Sequence, residues 1–271
     1  MPEFDFKGLP ASYLSWGDGP SIVLLHGGGA SGALWAKTVA CMTSGIRLIA
    51  PDLLGCGSTP GWPERGALTH DLQAELVGEL IDRVVGGSVD VVGHSYGGAT
   101  AVRLVLNTPL RVRSLLLIEP ILTCLLRETA DPMYEDSVRV NRYFVAAVDD
   151  GRPEEAWRAF LDARNGVGTW ARLSDKRREE FLRQSAQARE TSLSNLNNRT
   201  TLADCRAISV PTTIVCGEVT TPPDRRTTEI VHGAVPGARL EMISGAGHMS
   251  PLSHPQEVAR LVSEHLERLK R

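Results

Sequence analysis

The chain has 271 residues, 42% of them hydrophobic and 23% charged, with a formal net charge of −3. That length suits one large domain, or a domain carrying an insertion. The charge balance leaves no basic footprint for nucleic acid and no polybasic patch for a membrane surface, and no apolar run reaches the roughly 18 residues needed to span a bilayer.

The opening segment, FDFKGLPASYLSWGDG, predicts an antiparallel hairpin at one edge of a sheet. The start, MPEFDFKGLP, shows no basic stretch leading an apolar core, so a cytoplasmic protein without a secretory signal is expected. SIVLLHG from Ser21, IRLIAPD from Ile46, VDVVGHS from Val89 and VRSLLLIEP from Val112 read as buried strands. Their near-continuous apolar character suits a parallel sheet covered on both faces, and the helical patterns between them supply the crossovers. After Ser95 a helix is expected to run to about Leu106, stopped by Asn107, Thr108 and Pro109.

From Ile121 to Asp204 no strand pattern occurs. Helices are predicted over residues 138–148, 153–164 and 175–196. The second has Pro in its first turn and Gly166 past its end, and the third opens on Ser174 and Asp175. The charged run KRREEFLRQ reads as a solvated helix face. Strands resume with TTIVCGE from Thr212 and ARLEMIS from Ala238. The expectation is an α/β fold: a mostly parallel sheet of about eight strands with helices on both faces and an all-helical cap inserted after strand six. Residues 1–120 and 205–271 would form the core and 121–204 the cap. The cap would lie over the sheet's C-terminal edge, where ligands bind in open α/β sheets. Five cysteines, widely spaced and without CxxC, predict free thiols, and no His/Cys cluster has metal-ligand spacing, so no structural zinc site is expected.

The stretch VDVVGHSYGGATAVRLVL places Gly-His-Ser-Tyr-Gly, residues 93–97, between a strand and a helix. In so sharp a turn, side chains two residues either side of Ser95 would collide, hence Gly93 and Gly97. The serine would be strained, its hydroxyl lifted over the sheet edge at a helix N-terminus, with the Tyr96 N–H facing any oxyanion. His248 lies in a Gly-flanked loop after a predicted strand, and imidazole is a suitable base for a hydroxyl nucleophile. His70, His232, His254 and His265 are expected to play surface roles.

With these motifs the chain resembles the α/β-hydrolase superfamily over nearly its whole length. LLHGGGASGALW, APDLLGCGST and PGARLEMISGAGHMSPLSHP carry the rest of the likeness. It implies Ser95 as nucleophile, His248 as base, and the N–H of Gly28 with that of Tyr96 as oxyanion hole; His26 and Asp52 would be structural. Many relatives carry the acid after strand seven, as G-x-x-D. Here Thr220 stands at that place in CGEVTTPPDRR. Glu119, at the end of a buried strand, needs a partner and is favoured as the acid, with Asp224 the alternative and Glu218 too close to its strand.

The resemblance implies a serine hydrolase of a small-molecule carboxylic ester, lactone or thioester, with no cofactor, acting as monomer or homodimer. A carbon–carbon bond hydrolase with the same triad is the alternative, and a slow or non-catalytic ligand-binding protein is another. The pocket is expected to be largely apolar, with Leu125, Tyr134, Phe144, Trp157, Phe160 and Trp170 as candidate cap contacts.

Overall fold

The computed structural model describes residues 1–62 and 66–269. Eight strands follow in chain order: β1 (Glu3–Phe6), β2 (Leu9–Trp16), β3 (Ser21–Leu25), β4 (Arg47–Pro51), β5 (Val89–His94), β6 (Val112–Ile118), β7 (Thr212–Gly217) and β8 (Arg239–Ile243). They form one sheet in the order β1-β2-β4-β3-β5-β6-β7-β8. The β1–β2 and β2–β4 pairings are antiparallel, and all others are parallel. Every residue of β3, β5 and β7 is buried, which explains why these strands read as unbroken apolar runs.

Alternate residues along each strand feed two cores. Val23, Leu25, Val91, Leu115 and Leu117 pack with helices α2 (His70–Leu80) and α3 (Tyr96–Asn107) on one face. Ile22, Leu24, Val92, Leu116 and Ile118 pack on the other face, which α1 (Ala36–Ala40) and the C-terminal helix cover. Each such aliphatic side chain contributes about 1.5–3 kcal/mol by leaving water.

Between β6 and β7 the chain is helical: α4 (Thr123–Glu128), α5 (Tyr134–Asp149), α6 (Pro153–Asn165), α7 (Asp175–Arg183), α8 (Ser185–Leu196) and α9 (Leu202–Arg206). Phe144, Ala147, Ala156, Trp157 and Trp170 form a separate small core there. The single helix predicted over 175–196 is two helices, broken at Gln184. The break is stabilised locally: Gln184 N–H donates to the Phe181 carbonyl at 3.0 Å, and the Ser185 hydroxyl to the Leu182 carbonyl at 2.8 Å. The chain ends with α10 (Pro222–Ala234), α11 (Ser250–Ser253) and α12 (Pro255–Arg268). Among the described residues, no helix is long and apolar enough to cross a membrane.

Candidate active site

Ser95 joins β5 to α3 with φ 55° and ψ −115°, a left-handed conformation that a non-glycine residue rarely adopts. Glycines make room for it. A Cβ on Gly93 would lie 2.6 Å from the Gly97 carbonyl oxygen, and one on Gly97 would lie 2.6 Å from that of His26. Two backbone bonds then fix the serine: its N–H donates to the Ile118 carbonyl at 2.9 Å and its carbonyl accepts from Ile121 at 3.1 Å.

Three groups from three strand ends meet at this turn. His248 Nε2 lies 2.9 Å from Ser95 Oγ, and His248 Nδ1 lies 2.7 Å from Glu119 Oε2. Glu119 follows β6 with φ 42° and is 1% exposed. Its carboxylate is saturated: Oε1 accepts the Gly217 N–H at 2.7 Å, and Oε2 also accepts the Thr220 hydroxyl at 2.7 Å. Thr220, which stands where many relatives carry the acid, therefore holds the carboxylate that β6 supplies.

Asp224 is close but differently engaged. Its Oδ2 is 3.8 Å from His248 Nδ1, and accepts from Arg164 of α6 at 2.5 Å and from Thr221 at 2.7 Å. Burial pushes this carboxyl up, but the Arg164 guanidinium and His248 outweigh it and hold the pKa at about 2. Glu218 points away, accepting from Ser244 at 2.7 Å and from the Gly245 N–H at 2.8 Å. Ligand atoms of Glu119, Asp224 and His248 lie within 4.8 Å of one another, a spacing that a cation could use. Both carboxylates, however, already accept hydrogens from Gly217, Thr220, Thr221 and Arg164, so the donor set does not fit a metal.

Gly28 and Tyr96 line the same cavity as Ser95 and His248. Among the described residues, no acceptor takes the backbone N–H of either. His26 is tied into its loop, Nδ1 donating to the Gly27 carbonyl at 2.8 Å and Nε2 accepting from Leu53 at 3.1 Å. Asp52 accepts from the N–H groups of Gly32 and Ser58, each at 2.8 Å.

The cavity measures about 540 Å³ and lies between the sheet edge and helices α5–α8. Phe144, Trp157 and Phe160 line it, whereas Leu125, Tyr134 and Trp170 do not. Leu125 packs into the sheet core and Trp170 into the cap core. Two histidines expected at the surface are buried, His70 at 3% exposure and His265 at 5%. His70 bridges Thr100 and the cap residue Asn195, and His265 Nδ1 meets the Thr213 hydroxyl at 2.8 Å. A lone histidine on a helix carries no sequence signal for such partners. His94, hidden inside the elbow, is likewise not legible from sequence as a positioning group: its Nε2–H donates to the His248 carbonyl at 2.8 Å. Burial, then the charge of His248, pushes its pKa down to about 3 and keeps it neutral.

Comparisons with known proteins bear on the family and the fold. A profile described as the alpha/beta hydrolase family matches residues 22–261. Lipase LipV of Mycobacterium tuberculosis is 29% identical, the match covering 92% of this chain and 94% of the lipase. Among solved structures, an esterase from Exiguobacterium antarcticum superposes with a TM-score of 0.79 at 20% identity, covering 96% of each chain. A mutant of the meta-cleavage product hydrolase CumD superposes with a TM-score of 0.75 at 21% identity, covering 98% of each. Eight strands in this order, a serine elbow and a profile match over most of its length together make this chain a member of the alpha/beta hydrolase family.

Proposed function

We propose that the chain is a serine hydrolase that cleaves a small-molecule carboxylic ester, lactone or thioester through an acyl-enzyme. The observation that carries this reading is the unbroken hydrogen-bonded chain from Ser95 Oγ through His248 to Glu119 at the floor of the cavity. Ser95 Oγ attacks the carbonyl carbon as His248 Nε2 takes its proton. The N–H groups of Gly28 and Tyr96 receive the oxyanion, and Glu119 orients the imidazole and stabilises its charged form. His248 then protonates the leaving alcohol. A water deprotonated by the same nitrogen attacks the acyl-enzyme and releases the acid. Helices α4–α8, within residues 121–204, act as the cap that encloses the substrate.

The acid that relatives place after β7 is here supplied by Glu119, which favours an enzyme over a binding protein with an incomplete triad. Carbon–carbon bond hydrolysis would use the same three groups, and no feature of the site favours it. The test is hydrolysis of 4-nitrophenyl esters from acetate to octanoate, with stopped-flow detection of the first turnover. The expected result is a burst of nitrophenol stoichiometric with enzyme, and loss of about 10⁵ in kcat for Ser95→Ala. An enzyme that turns over no ester, or a Ser95→Ala variant that retains the burst, would overturn the reading.

A further inference from the structure

Helix α8 is buried by polar residues. Its covered positions are Ser185, Thr191, Ser192, Ser194 and Asn195. Three of the four hydroxyls are bonded: Trp157 Nε1–H donates to Ser185 Oγ at 3.0 Å, Tyr96 Oη to Ser194 Oγ at 3.1 Å, and Thr191 Oγ1 to the Gln187 carbonyl at 3.1 Å. Ser192 and Asn195 face the cavity beside Thr191. Asn195 uses only its oxygen, which lies 3.2 Å from His70 Nε2. His70 Nδ1 lies 3.0 Å from the Thr100 hydroxyl. A neutral His70 that accepts from Thr100 and donates to Asn195 leaves the Asn195 amide nitrogen directed elsewhere, with both hydrogens free. Among the described residues, no partner reaches that nitrogen or the Ser192 hydroxyl, although both residues are more than nine-tenths buried.

Asn141, from α5, adds a third such group. It is 2% exposed, lines the cavity, and among the described residues its carboxamide has no partner. The buried positions of α5 are Ser137, Val138, Asn141, Phe144 and Ala147, so an amide interrupts an otherwise helix-spaced packing stripe. The Asn141 carboxamide opens onto the cavity, so its partner is either water or a bound substrate, and such breaks in local consistency concentrate at functional sites.

This polar wall stands close to the reacting centre. The Thr191 methyl lies 3.3 Å from the place a Cβ on Gly28 would occupy, and Ser192 and Asn195 extend along α8 from there. Elsewhere the cap lining mixes apolar side chains, including Phe144, Trp157 and Phe160, with the polar Arg164, Arg177 and Glu180.

Resting on the serine-hydrolase reading above, we infer that Asn141, Ser192 and Asn195 form a specificity site for a second neutral oxygen of the substrate. The substrate class is an ester whose acyl chain carries a keto or amide carbonyl, not a plain fatty ester. The groups left free are amide and hydroxyl donors, which suit a carbonyl oxygen as acceptor. A site built to hydrogen-bond a substrate group discriminates strongly against the analogue lacking it, because its own polar groups are then left unpaired.

The experiment compares 4-nitrophenyl hexanoate with its 4-oxo and 5-oxo analogues, correcting each for its rate in buffer alone. In the wild type, kcat/KM for the better oxo ester is expected to exceed that for hexanoate by about tenfold or more. Asn195→Leu and Asn141→Leu should each bring the ratio close to one, with the loss carried by the oxo ester. Ser192→Ala, a milder change, should lower the ratio about threefold and keeps the test open should a leucine variant fail to fold. Equal kcat/KM for oxo and plain esters in the wild type, or a ratio that survives all three substitutions, would overturn this inference while leaving the serine hydrolase intact. Turnover of neither ester would overturn both.

Discussion

Strand β6 and helix α8 are both buried beside the candidate site, yet they are buried by opposite chemistry. Leu115, Leu116, Leu117 and Ile118 of β6 pack into the two sheet cores, and the strand then delivers Glu119 to His248. Helix α8 is covered through polar side chains, of which Ser185, Ser194 and Asn195 bond to Trp157, Tyr96 and His70 in turn. Burial by area is tolerant of detail, whereas burial by hydrogen bonds depends on each partner. On the function proposed above, the comparison separates two tasks: the sheet edge holds the reacting groups in fixed geometry, and the cap selects what reaches them.

The largest effect should come from the sheet side. Glu119→Gln preserves shape but removes the charge beside His248, and kcat should fall by about 10³–10⁴, measured on a nitrophenyl ester. Asp224, 3.8 Å from the same nitrogen but paired to Arg164, should not replace it. A Glu119→Gln enzyme within about tenfold of wild type would move the acid role to Asp224.

At the seam between the two regions, Arg164→Met strips the guanidinium from a buried pair whose side chains are 11% and 7% exposed. Leaving Asp224 uncompensated should cost about 3–5 kcal/mol, read by urea unfolding. The loss should shrink as pH falls from about 4 toward 2. Arg164 and His248 outweigh burial and hold the Asp224 pKa at about 2, so the pair's contribution is present above the unfolded value and lost as the folded carboxylate protonates.

A paired measurement tests the comparison itself. Leu116→Ala in the sheet core should cost about 3 kcal/mol through lost burial and a cavity. Ser194→Ala in α8 should cost about 1 kcal/mol, mostly from the unpaired Tyr96 hydroxyl. Comparable losses would erase the distinction between the two kinds of burial.

The smallest effect is a pH slope. Burial pushes the His70 pKa from 6.5 down to about 4. Between those values the unfolded chain holds a proton that the folded chain does not, so stability falls as pH falls, by roughly 1.4 kcal/mol per pH unit. His70→Gln should make the decline of unfolding free energy over this window shallower by that amount, and an unchanged decline would show that His70 is not neutral at the seam.

The same division decides what the sequence discloses. The strands of the sheet, the elbow glycines around Ser95 and the Gly-flanked His248 follow from apolar runs and turn sterics, which are local properties. Glu119 is favoured over Asp224 in the sequence because Thr220 occupies the place where many relatives carry the acid, while a carboxylate at the end of a buried strand needs a partner. What the sequence hides is non-local. The break at Gln184, the burial of His70 and His265, and the free amides of Asn141 and Asn195 all depend on partners distant in the chain. The aromatic cap residues are only half legible, because the helical spacing that buries Phe144 against substrate space buries Trp170 in the cap core just as well.

The hydroxyl of Thr220 and the carboxylate of Glu119 touch at 2.7 Å. The negative charge beside the imidazole thus has two addresses in the chain, 101 residues apart, that open onto one place in space. A charge delivered from the end of β7, with a neutral hydrogen-bonding side chain answering from the end of β6, would satisfy the same imidazole. On the proposed reading, the acid is in that sense a tenant of a site that the sheet builds.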